Sequence, residues 1–144
     1  MTSSIPTVKA ALVSVLAAAL PASQVIYGPV TAVTTTTARV LTVGRAQGRR
    51  DLDSLSLSTA AEQYTVDLQV SVDIPGGSTQ QTADEQALAD YAAAEAAVRG
   101  NPTLGLSGTI QVLPTGAFEL LEQADPEGRH AAVRFSVAVY AQTT

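Results

Sequence analysis

Cysteine and tryptophan are absent from this 144-residue chain, and histidine occurs once. Without cysteine there is no disulfide, no thiolate nucleophile and no Cys-based zinc site. A single histidine, His130, cannot build a histidine cluster. Aromatic residues make up only 4%, too few for a base-stacking platform. The pattern places Tyr27, Tyr64, Tyr91 and Tyr140 in buried positions. Basic residues are scarce as well: eight Lys and Arg stand against thirteen Asp and Glu, for a net charge of −5. That balance argues against a broad nucleic-acid-binding face. Charged residues reach 15% while hydrophobic residues reach 46%, which excludes a wholly disordered chain. A chain of this length makes one domain with a core that needs no covalent staple.

Catalytic motifs are lacking too. No serine sits in a G-x-S-x-G elbow, and Gly76-Gly77 precedes no Lys-Ser/Thr pair of a phosphate loop. Glu119 and Glu122 fall on opposite faces of a strand, which separates them as an acid/base pair. His130 reads as a rim residue at the start of a strand. No enzyme activity, metal or cofactor is expected.

What is present is periodicity. Residues 8–20 carry Val8, Leu12, Val15 and Ala19 at helical spacing, widened by Leu16 and Leu20. Lys9, the apolar run and Pro21-Ala22-Ser23 imitate an export signal. The stripe predicts a packed helix instead, capped by Thr7 and stopped by Pro21. The run is shorter than the roughly 20 residues that span a bilayer, so no membrane is expected. Residues 24–27 read as a short strand and 38–43 as another. The Thr-rich residues 31–37 fit an edge strand or a loop.

Residues 63–74 are the clearest signal. Tyr64, Val66, Leu68, Val70, Val72 and Ile74 alternate with Thr65, Asp67, Gln69, Ser71 and Asp73. A period of two marks a long antiparallel strand with one wet face. Burying its apolar side contributes about 10 kcal/mol before entropy. Pro75-Gly76-Gly77 ends it. A second helix is expected from a capping box at Thr82 and Glu85, with Ala87, Leu88, Tyr91, Ala94 and Val98 inward and Asp84, Glu85, Asp90 and Glu95 on other faces. Gly100 and Pro102 close it. Strands at 108–113 and 117–122 flank a turn at Pro114-Thr115-Gly116. A strong turn at 125–128 leads to a last alternating strand at 129–141.

The expected fold is α+β: a single domain over residues 1–144, with a mainly antiparallel β-sheet and two helices packed on one face. Residues 44–57, bearing Arg45, Arg49 and Arg50, lack a clean period and read as an exposed loop. Asp51 and Asp53 beside these arginines read as a solvated salt-bridge cluster rather than a metal site. The loop's length, its arginines and its spaced Leu52, Leu55 and Leu57 make it the candidate interface. Arg45, Arg49, Arg50, Asp51, Asp53 and Leu55 are its candidate residues. Excising residues 47–54 is expected to leave the fold intact.

A set of segments taken in order resembles the tail terminator, or tail-completion, proteins of long-tailed bacteriophages, the siphophages of actinobacterial hosts in particular. They are Pro6-Thr7-Val8-Lys9-Ala10-Ala11-Leu12, Ala19-Leu20-Pro21 leading to Gln24-Val25-Ile26-Tyr27-Gly28, and the strand from Tyr64 to Val72. Pro75-Gly76-Gly77 before an Ala/Glu-rich helix follows, then Arg99-Gly100-Asn101-Pro102-Thr103-Leu104-Gly105 and Glu127-Gly128-Arg129. Order and spacing carry the likeness, and residues 30–57 depart from it. The resemblance implies a structural virion protein, made in the host cytoplasm, that forms a homo-hexameric ring. Such a ring caps the head-proximal end of the tail tube and ends tube polymerisation. It binds the tail tube protein and a neck or head-completion protein, connector or stopper, while DNA passes through its lumen without specific binding. Another neck or minor tail protein, such as a head-closure protein, and a secreted bacterial binding module are the alternative readings.

Overall fold

The computed structural model of the chain describes residues 3–28, 39–52, 60–75, 79–106, 109–126 and 128–143. Period-two alternation in β3 (Ala60–Pro75) and β5 (Gly128–Thr143) makes them the central strands of a five-stranded sheet. The sheet order is β1-β2-β3-β5-β4, with β1 (Gln24–Tyr27), β2 (Arg39–Leu52) and β4 (Thr109–Asp125) outside them. All pairings are antiparallel except β1 with β2. Helices α1 (Ile5–Ala19) and α2 (Gln80–Arg99) lie together on one face of the sheet, α1 over β1 and β2, α2 over β3, β5 and β4. This is the α+β architecture that the patterning predicts.

The core lies between helices and sheet. Val8, Leu12 and Leu16 of α1 share one core with Leu41 and Val43 of β2, Val66, Leu68, Val70 and Val72 of β3, and Val133 and Val137 of β5. From α2, alanines 83, 87 and 94 with Val98 press on the same layer; their small side chains bring the helix backbone close to the strands.

Two carboxylates fasten this arrangement, and neither was singled out by pattern. Glu62 continues the apolar face of β3 and is only 4% exposed. Helix α1 begins at Ile5, not after Thr7, and its N-cap Ser4 makes no side-chain capping bond. The sheet supplies an acceptor for the N-cap instead, while the Ile5 N–H donates to Ser3 Oγ at 3.2 Å. The Ser4 backbone N–H donates to Glu62 Oε1 at 2.7 Å, and Ser3 Oγ donates to Glu62 Oε2 at 2.8 Å. Burial pushes the Glu62 carboxyl up. The Ser4 N–H, the serine hydroxyls and the nearby Arg50 outweigh that and hold it below its ordinary 4.5. Ser4 Oγ also lies 2.9 Å from Tyr64 Oη, and burial pushes that phenol up to about 12. On α2, Asp90 is 2% exposed and receives a bidentate pair from Arg39 of β2, with Arg39 Nε donating at 2.9 Å. Asp90 therefore faces inward, not outward as its charge predicts. Lys9 of α1 is also covered, its ammonium 4.4 Å above the Tyr27 ring of β1.

Three local expectations change. Thr79 caps α2, accepting from the Thr82 N–H at 3.2 Å, so the cap sits one turn before the predicted box. Pro114-Thr115-Gly116 is no hairpin: β4 runs through it, with residues 115–117 bulged opposite Ser136. Gly116 takes φ +82 there, and Thr115 Oγ1 donates to the Ser136 carbonyl at 3.2 Å. Residues 44–52 are not a loop but the second half of β2, paired with β3.

Replacing Leu12 by Ala should cost about 2–5 kcal/mol, whereas Asp67→Ala on the other face should stay within about 0.5 kcal/mol, both read from urea midpoints. Glu62→Gln should cost about 1–3 kcal/mol at neutral pH. The folded carboxyl has the lower pKa, so its contribution is complete above pH 4.5 and is lost as pH falls through the folded value. The gap between wild type and Glu62→Gln should therefore close in acid.

Candidate interaction surface

The second face of the sheet carries neither helix, and alternation makes it polar. Thr65, Asp67, Gln69, Ser71 and Asp73 project there from β3, and His130, Arg134, Ser136 and Tyr140 from β5. The twisted strands make a shallow trough of about 920 Å³ along its centre, lined by Thr42, Asp67, Gln69, Glu119, Arg134 and Ser136 among others. Its charges alternate in sign. Arg134 Nε donates to Gln69 Oε1 at 3.1 Å, Glu119 pairs in register with Arg134, and His130 Nδ1 lies 2.5 Å from Asp73 Oδ1. Among the described residues no group of three or more acids and histidines is placed to hold a metal ion. Among the described residues no helix is long and apolar enough to cross a membrane.

The predicted interface residues divide. Gly44 and Arg45 form a bulge, because Val43 pairs with Leu68 and Ala46 with Val66. Arg45 is exposed and its guanidinium donates to Gln47 Oε1. Beyond the bulge Arg49 and Asp51 lie on the open face. Arg49 donates to Gln63 Oε1 at 3.3 Å and approaches Asp51 Oδ2 at 3.8 Å. This exposed pair fits the expected solvated cluster and adds little to stability. Arg50 points to the opposite side, paired in register with Glu62. The arginines thus serve two faces and do not converge. Asp53 and Leu55 lie outside the described residues.

Gly48 is required where it stands. A side chain there would meet the Gln63 carbonyl oxygen at 2.1 Å and Tyr64 Cα at 2.3 Å. Exposed aromatic residues depart from the expected burial. Tyr140 on the open face and Tyr27 at the β1 edge are exposed, and Phe118 of β4 is 56% exposed. Phe118 is still anchored on one side, its ring 5.1 Å from Tyr91 of α2, which also meets Phe135 at 4.9 Å. Burial, with help from the bond to Glu95 Oε2, pushes the Tyr91 phenol up to about 12. Glu119 faces the trough, while Glu122 faces α2, as their spacing predicts. The hydrogen bond with Asp84 lifts the Glu122 carboxyl above its usual range.

The outer edges are the other open feature. β1 covers β2 only from Val40 to Val43, and the Gly28 N–H makes one more bond to the Val43 carbonyl at 2.8 Å. Past that point β2 has no outer strand partner among the described residues, nor does any part of β4.

No known protein-family model matches the chain, and no curated protein matches it.

Removing residues 47–54 would strip half of β2 from β3, contrary to the expectation from sequence. The deletion should lower the thermal midpoint well beyond the change caused by Arg49→Ala, which should be near zero.

Proposed function

We propose that this chain is a structural subunit of a bacteriophage tail, of the tail terminator kind. Copies close into a hexameric ring on the head-proximal end of the tail tube, stop its growth and present a surface to the neck. The observation that carries the reading is the one-sided sheet: among the described residues, helices cover one face, while a polar face and two unlike edges stay open. A closed ring needs two different patches on each subunit, one meeting the other on the next copy. Open strand edges and a face of alternating charge supply such patches without a reaction centre.

The ordered segments from Pro6 to Arg129 give the reading its particular form, since they resemble that family in spacing over most of the chain. The net charge of −5 suits a lumen through which DNA slides, because like charges disfavour adhesion. The proposed role is mechanical: the subunit ends a cylinder by shape and turns over no substrate.

Native mass spectrometry of the purified chain and reconstruction of intact particles test this. A hexamer located at the joint between tail tube and neck is expected. A subunit found elsewhere in the particle, or a chain that hydrolyses or transfers a small substrate as a monomer, would contradict the reading.

A further inference from the structure

We infer that the free outer edge of β2 pairs with the outer edge of β4 on a second copy of this chain, joining their sheets into one. The inference rests on the ring reading and names the contact that would build it.

Strand direction comes first. β2 runs antiparallel to β3, β3 to β5 and β5 to β4, so β2 and β4 point in opposite senses at the two ends of the sheet. A second copy set beside the first in the same orientation presents its β4 antiparallel to β2. The helix-covered faces then fall on the same side, and the open faces run on without a break. No copy has to be inverted, so the contact repeats around a rotation axis.

Available length comes next. β1 occupies the β2 edge as far as Val43, and Gly44 and Arg45 form the bulge. Among the described residues, the stretch of β2 without an outer strand is thus 46–52. On β4, the bulge at residues 115–117 interrupts the ladder, and the regular stretch after it runs from Phe118 to the hairpin at Asp125. Residues 46–50 against 118–122 fit both windows.

Charge selects the register. β2 brings Arg45, Arg49 and Arg50 to its free edge, and β4 brings Glu119 and Glu122 to its own. Both Arg49 and Glu119 are exposed and belong to the open face. Setting them opposite each other places Gln47 against Leu121 on the same face. On the helix side it places Arg50 against Phe118, whose ring is 56% exposed in the isolated chain. A cross-strand ion pair and a covered aromatic ring follow from one alignment. Like edges gain nothing comparable: β2 against β2 would crowd arginines and β4 against β4 would crowd glutamates.

The absence of cysteine makes the contact directly testable. Gln47→Cys and Leu121→Cys are made as separate variants, mixed at high concentration and oxidised. Neighbouring strand positions are close enough for a disulfide, so mixed dimers should form at least about tenfold faster than with Ser14→Cys, on the exposed side of α1, in place of either. Arg49→Glu should abolish the cross-link and the oligomer seen in native mass spectra, with an unchanged circular dichroism spectrum. Mixing it with Glu119→Arg chains should restore both. An oligomer that forms without the Gln47–Leu121 cross-link overturns the edge contact and leaves the ring reading standing. A chain that stays monomeric and forms no cross-link overturns both.

Discussion

Both helices lie on the same face of the sheet because that face carries the continuous apolar layer. Tyr64, Val66, Leu68, Val70 and Val72 on β3 and Val133, Phe135, Val137 and Val139 on β5 make a continuous layer, and every second residue between them is polar or small. Shifting either strand by one residue would turn that layer to water, so the alternation fixes the register as well as the face. The uncovered side is the other consequence of the same constraint. The protein spends most of its apolar surface on one interface within the chain and leaves the opposite face without a helix.

Buried charge makes this packing specific. An apolar layer alone would let the helices slide, since dispersion and hydrophobic contact have little direction. Glu62 fixes the start of α1 by accepting from the Ser4 N–H and the Ser3 hydroxyl, and Asp90 fixes α2 to the first residue of β2 through Arg39. A buried carboxylate without its donors is costly, so each position of the helix that breaks these bonds is disfavoured by more than the contact itself contributes. Arg50 sits beside Glu62, so the edge of β2 and the anchor of α1 share one electrostatic neighbourhood.

Much of the fold could be read from sequence, because β3 and β5 keep strict alternation and both helices keep their stripes. The errors share a cause: irregularity within a strand imitates a loop. Gly44 and Arg45 shift the phase of β2, so Ala46, Gly48 and Arg50 face the helices while Arg49 and Asp51 face water, and no single period covers both halves. Pro114-Thr115-Gly116 has turn chemistry because a bulge with Gly116 at positive φ needs the same residues as a turn. Glu62 and Asp90 are hard to read for another reason. Glu62 lies just before the expected strand, and Asp90 occupies a position on the helix stripe that its charge argues against. Their partners Ser4 and Arg39 lie far away in sequence. The candidate interface was only partly legible: its arginines were found, but their division between two faces follows from a bulge that no pattern revealed.

The proposed assembly would join copies of this chain through their two unlike edges, β2 and β4. Hydrogen–deuterium exchange on the chain, dilute and then assembled, tests this most directly. Amides of residues 46–50 and 118–122 that point away from β3 and β5 should exchange quickly in the dilute chain and gain protection on assembly, while α1 stays unchanged. Protection gained over the helices, with both edges still exchanging as before, would contradict it.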